Sequence, residues 1–301
     1  MRILLATDGS EYSETAARYV NRMGLGPDTE VFVLHVLKDY LLPDDIDPAR
    51  DFRKAGRRGA EALVFEFKAM LTPAGYKVHA LVREGEPWQE ILEGAQDVGA
   101  DLIVMGHKGL SGINRFLIGG IAHKVARYGA FSTLIVRELP ILERPMRILY
   151  CTDGSYSARH ARDLLRGLPF REDTEVYILS VVDMDISSLP EKYYPDEEVS
   201  LMMAELREHN RKQAEKAVAE DAALLKVSFR DVREHVVFGV PDAEIVMAAE
   251  GLQADLVVMG SKGTRGIKGI LLGSASHRVL KHADCSVLIA KLRQPQPPNT
   301  R

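Results

Sequence analysis

The sequence predicts an α/β chain of two tandem domains, each a doubly wound, five-stranded parallel sheet. Three observations carry this. The chain repeats itself once: "RILLATDGS" at Arg2 returns as "RILYCTDGS" at Arg147, "ADLIVMGHKG" at Ala100 as "ADLVVMGSKG" at Ala254, and "STLIV" at Ser132 as "SVLIA" at Ser286. Within each copy, short apolar runs alternate with helix-like stretches. A run apolar on both faces and followed by a helix belongs to a parallel sheet covered on both sides. Right-handed crossovers then make the fold doubly wound.

The elements of the first copy follow in order. Ile3 to Ala6 is a buried strand, and Tyr12, Ala16, Tyr19, Val20 and Met23 recur at helical spacing behind it. Glu30 to Leu37 is apolar and β-branched, hence a strand. Pro48 to Leu71 is a long helix. Lys77 to Val82 alternates as a strand, and Pro87 to Val98 opens with proline as helices do. Asp101 to Met105 is a buried strand, a glycine loop and a helix follow it, and Ser132 to Val136 closes the copy. The second copy gives the same order. It is offset by 145 residues at its opening motif and by 154 at the later ones, so nine residues are inserted in its middle.

A repeat of this length is a duplicated domain. The domains are expected at 1–140 and 146–293, joined through "ELPILERP" at Glu138 to Pro145, with a disordered proline-rich tail over 294–301. The segment "DMDISSLPEKYYPDEEV" reads as a loop before a long charged helix.

Composition narrows the class. The chain of 301 residues is 46% apolar and 27% charged, ordinary for a globular protein. Its formal net charge of -4 argues against a global nucleic-acid surface. No apolar run reaches the ~20 residues of a membrane span. The opening "MRILLATDGS" meets Asp8 and Gly9 too early for a secretory leader. The chain therefore reads as cytoplasmic, with Cys151 and Cys285 as free thiols.

The chemistry sits in two glycine-rich stretches, "GHKGLSGINRFLIGGIA" from Gly106 and "GSKGTRGIKGILLGSAS" from Gly260. Each lies between a core strand and a helix, where an open doubly wound sheet binds ligands. Glycine lets backbone approach a ligand closely, and N–H groups of the next helix's first turn lack intrahelical partners. Ser274 and Ser276 add hydroxyls that donate to a ligand or cap the helix, and Lys262, Arg265 and Lys268 add charge. The ensemble suits phosphate, although a tight turn alone also needs glycine. It is neither a Walker A sequence nor GxGxxG. The first turn of each copy is "TDGS" instead, and Asp8 or Asp153 there suits a ribose hydroxyl, a metal, or the cap of the first helix.

These residues resemble the universal stress protein family, here as a tandem two-domain member with a Rossmann-like fold. Gly260, Gly263, Gly273 and Ser274 match the family's G-x2-G-x9-G-[ST] signature in full. The resemblance covers nearly the whole chain twice. It implies an adenine-nucleotide site for ATP, ADP or AMP, with Mg2+ as companion. Asp153 and Gly260 would lie at the ribose and Val181 at the adenine. Gly263, Gly273, Ser274 and Ser276 would hold the phosphates. The matching first-copy positions are Asp8, Val36, Gly106, Gly109 and Gly119.

The first copy departs from the pattern, with Gly120 at the serine position and Ala122 in place of Ser276. A hydrogen bond to a charged phosphate is worth ~1.5–3 kcal/mol, so each lost donor weakens binding about tenfold or more. The second copy is therefore expected to be the main site. The expected role is a stress-response sensor or regulatory module. The alternatives are a slow ATPase and a nucleotide-free interaction module. No general base is aimed at a γ-phosphate, so no catalytic residue and no protein metal site are assigned. An intramolecular pseudo-dimer through the closing strands, a further homodimer and an unidentified protein partner complete the expectations.

Overall fold

The computed structural model describes residues 1–38, 47–110, 118–138, 144–183, 197–263 and 272–292. Of the loop expected over 183–199, residues 184–196 lie outside the described residues, as do most of the linker, the tail, and Arg265 and Lys268; Asp183 ends a strand and Glu197 already begins a helix. The chain divides into two compact units, residues 1–139 together with 291–301, and residues 140–290.

The first unit contains β1 (Arg2–Thr7), α1 (Glu11–Arg22), β2 (Glu30–Lys38), α2 (Asp47–Leu71), β3 (Lys77–Gly85), α3 (Pro87–Asp97), β4 (Leu102–Gly106), α4 (Gly120–Tyr128) and β5 (Ser132–Val136). Its strands run in the order β3-β2-β1-β4-β5, all parallel. The chain winds outward from β1 to β3, then crosses back to place β4 on the other side of β1. Helices α1 and α2 pack together, as do α3 and α4, which covers both faces. Residues 3–7 of β1 and all of β4 and β5 are buried, as their apolar runs require.

The second unit repeats the plan with β6 (Arg147–Cys151), α5 (Tyr156–Gly167), β7 (Glu175–Asp183), α6 (Glu197–Leu225), β8 (Asp231–Gly239), α7 (Pro241–Gly251), β9 (Leu256–Gly260), α8 (Ser274–His282) and β10 (Ser286–Ala290). Its order is β8-β7-β6-β9-β10, again parallel. In each unit the winding reverses between the first and fourth strands, and that reversal opens the crevice where such folds bind ligands.

The cores are not copies. Under α5, Tyr150 Oη donates to Asp221 Oδ2 at 2.9 Å and Arg162 Nη1 donates to Asp221 Oδ1 at 2.8 Å. Burial first, and the Asp221 charge second, push the Tyr150 hydroxyl well above its ordinary pKa. The first unit has Leu5, Ala17 and Phe67 at the corresponding positions, all buried. One core thus uses hydrogen-bonded charge where the other uses apolar packing.

Candidate functional site

The "TDGS" turn builds one wall of each crevice. Gly9 and Gly154 adopt left-handed φ values of 79° and 70°, which turn the chain sharply from strand to helix. Thr7 and Thr152 accept from the glycine N–H groups, at 3.1 and 3.2 Å. Asp8 and Asp153 each accept, through Oδ1, from the N–H two residues on, Ser10 and Ser155. The side-chain caps of α1 and α5 are Ser10 and Ser155, which accept from Ser13 N and Ala158 N. The capping role entertained for the aspartates therefore falls to the serines. Their greater reach from the backbone leaves the carboxylates turned toward the glycine loops.

The opposite wall is built by the described ends of the glycine loop, and each motif glycine there has its own neighbour. A Cβ on Gly260 would stand 2.5 Å from Ser157 Oγ and 2.7 Å from the Ser157 carbonyl carbon. On Gly106 it would stand 2.6 Å from the Tyr12 carbonyl. The first motif glycine thus lets the strand end press against the first turn of α5 or α1. A Cβ on Gly263 would stand 2.7 Å from Asp153 Oδ2, and Gly109 abuts Asp8 Oδ2 in the same way. The second glycine makes room for the carboxylate. Gly119 and Gly273 are N-caps of α4 and α8, and their N–H groups donate at 2.7 Å to His107 O and Ser261 O, which closes each loop.

The first turn of α8 begins at Ser274, with no side-chain cap at Gly273. The first intrahelical bond there runs from His277 N to Gly273 O, so the N–H groups of Ser274, Ala275 and Ser276 have no intrahelical acceptors. They carry the positive end of the helix dipole. Ser276 is buried, and its hydroxyl donates to Gly260 O at 2.9 Å. Its proton is engaged in joining α8 to the end of β9, so what Ser276 offers an anion is its backbone N–H. Ala122 cannot make the corresponding bond in the first unit.

Between these walls the second unit holds a cavity of about 630 Å³. Asp153, Val181, Gly260, Gly263 and Ser276 line it, and Gly273 and Ser274 open the helix alongside. The first unit's cavity is about 350 Å³, lined by Asp8, Val36, Gly106, Gly109 and Gly119. In it, Asp8 Oδ2 accepts from Leu110 N at 2.9 Å, so both carboxylate oxygens are engaged by backbone. Sequence reasoning missed one wall of the larger cavity, the α6 residues Asn210, Gln213 and Ala217. They share a helix face, but nothing in a long charged stretch distinguishes that face from a solvated one.

Charge and thiols complete the picture. His107, buried at the mouth of β4, has its pKa pushed down to about 4 by burial first, then by the Arg137 and Lys108 charges. Cys151 lines the larger cavity but is buried, which pushes its thiol far above the usual range and keeps it protonated at neutral pH. Both cysteines are free thiols. Among the described residues no cluster of three or more His, Cys, Asp or Glu is arranged to hold a metal. Mg2+ needs no such cage when phosphates supply most of its ligands, and a single carboxylate such as Asp153 fits that arrangement. No helix among the described residues is long and apolar enough to cross a membrane.

A family model described as the universal stress protein family matches residues 1–137 and again 145–291. Over 149 residues, 48% of this chain and 81% of the relative, the sequence is 36% identical to a universal stress protein of Methanocaldococcus jannaschii. Over 299 residues, 97% of each chain, it is 21% identical to a universal stress protein of Mycolicibacterium smegmatis. The crystal structure of a universal stress protein from Archaeoglobus fulgidus, 23% identical, matches with a TM-score of 0.65 over 96% of both chains.

Proposed function

The chain belongs to the universal stress protein family, and from that premise we propose that it is an adenine-nucleotide sensor or regulatory module whose main site is the second unit. The observation that carries this reading is the cavity of about 630 Å³ at the winding reversal of that unit, bounded by the Asp153 turn, the glycine loop and the open first turn of α8. Its size is that of a small-molecule site, where pockets span roughly 300–1,000 Å³. The positive end of a helix and converging backbone N–H groups suit a phosphate chain. A carboxylate held by Ser155 N and standing against Gly263 suits ribose hydroxyls.

The smaller first cavity supports a weaker role for the first unit. A divalent ion would be carried on the phosphates, with Asp153 as its protein contact. A sensor is favoured over an ATPase because the described cavity lining has no histidine to serve as a general base.

The test is chemical. The full chain is purified without added nucleotide and denatured, and the released small molecules are identified and counted by chromatography and mass spectrometry. A stoichiometric adenine nucleotide, lost in Gly263→Val and kept in Gly109→Val, is the expected result. No released nucleotide, and no binding when ATP and Mg2+ are then added, would overturn the reading.

A further inference from the structure

The lining of the second cavity includes a wall from α6, and no residue of α2 lines the first among the described residues. In the first unit a Cβ on Gly9 would stand 3.2 Å from a Leu63 methyl. In the second unit a Cβ on Gly154 would stand 3.2 Å from the Ala217 methyl. Leu63 and Ala217 are 154 positions apart, the offset of the glycine motifs. The register is supported by Val64 with Val218 and Leu71 with Leu225, all buried in their units. Where α2 places a leucine over the turn, α6 places an alanine, and Ala217 lines the cavity.

By the same register Gly56 and Gly59 of α2 correspond in sequence to Asn210 and Gln213 of α6. The first unit has no side chain at either position, while the second has two carboxamides lining its cavity. Residues 210, 213 and 217 lie on one face of the helix. That face looks over the end of β7, since α6 packs on β7 and Val181 lines the same cavity. A carboxamide offers two N–H donors and a carbonyl acceptor. The amino and ring-nitrogen edge of adenine needs one donor and one acceptor side by side, and Asn or Gln pairs with it bidentately. Guanine presents two acceptors on the corresponding edge, which a carboxamide satisfies less well.

We propose that α6 is the base-reading wall of the second unit: Asn210 and Gln213 recognise the amino edge of adenine, and Ala217 gives the ring its clearance. This rests on the nucleotide reading above.

The experiment measures ATP and GTP affinities of the full chain by calorimetry. The wild type is expected to prefer ATP, and Asn210→Ala/Gln213→Ala to lose about tenfold in that preference through weaker ATP binding. Alanine is the better helix former, and Asn210 is half-buried and Gln213 exposed, so the double variant retains its fold. Ala217→Leu, which restores the first unit's residue, weakens ATP binding, whereas Leu63→Ala leaves it unchanged. If the double variant keeps the full ATP preference, or if the wild type binds both nucleotides equally, the inference is wrong and the nucleotide reading stands. If the wild type binds neither, both fall.

Discussion

Two glycines three residues apart in one motif should fail in different ways when each receives a methyl group. Gly260→Ala sets a Cβ 2.5 Å from Ser157 Oγ, 2.7 Å from the Ser157 carbonyl carbon and 2.8 Å from Ala158 N. Carbon atoms in contact prefer about 3.5–4.0 Å, so the first turn of α5 must retreat by roughly 1 Å. That helix buries Ala158, Ala161 and Leu165 against the sheet, and the retreat loosens all of them. Overpacking of this kind costs about 1–3 kcal/mol. At about 2–4 °C per kcal/mol for a unit of this size, the melting temperature falls by roughly 2–12 °C. Gly263→Ala instead meets Asp153 Oδ2 at 2.7 Å, with Asp153 Cγ already 3.8 Å away. A carboxylate tip can swing aside, so stability stays within about 0.5 kcal/mol of wild type. Losing its contact to a ribose or an ion then weakens ATP binding about tenfold. Thermal and urea unfolding followed by circular dichroism, with ATP titration of both variants, separates the two effects. A wild-type melting temperature for Gly260→Ala would refute the close strand–helix contact. Wild-type ATP affinity for Gly263→Ala would refute the role given to Asp153.

Two further outcomes follow from the buried polar groups. His107 holds its proton only below about pH 4 when folded, against about 6.5 when unfolded. The unfolded chain therefore binds the extra proton between these values, and stability falls as pH drops through that window by about 1.4 kcal/mol per unit. Urea unfolding from about pH 7 to about pH 4.5 should show this slope reduced in His107→Ser, which carries the second unit's residue; an unchanged slope would assign it to other groups. In the second unit, Asp221→Ala leaves Arg162 buried with Asp163 as its one carboxylate partner among the described residues, and should cost about 3 kcal/mol. The triple change Tyr150→Leu, Arg162→Ala, Asp221→Phe installs the first unit's apolar set and should restore wild-type stability; a triple variant as weak as Asp221→Ala would refute the equivalence of the two cores.

The fold was legible because each central strand is an uninterrupted apolar run and each crossover carries its own helical period. Boundaries slipped where a strand leaves the core. The alternation that predicts β3 ends at Val82, but the strand pairs through Gly85, because Arg83 and Glu84 follow the ladder of β2 without following its apolar pattern. An edge strand can carry charge that a central one cannot. The glycine motif located the crevice, and the sequence could equally count its serine hydroxyls as ligand donors or caps. What decides the fate of Ser276 is its burial beside the strand-end carbonyl of Gly260, which belongs to tertiary structure.

The α6 wall was hidden for the same reason in reverse. Asn210 and Gln213 have the composition of any solvated helix face, and only the fold shows that this face lines a cavity, with Ala217 where the first unit has Leu63. A duplicated chain makes such a change readable, because each unit supplies the other's control. Reverting one wall residue at a time, Ala217→Leu in the second unit and Leu63→Ala in the first, asks whether the volume difference follows the side chain. If it does, crystal structures of the two variants show the second cavity contracting toward the first, and the first opening toward α2. If neither cavity changes, the extra space in the second unit comes from the placement of α6 as a body, and the Tyr150–Arg162–Asp221 network that anchors it becomes the element that sets the size of the site.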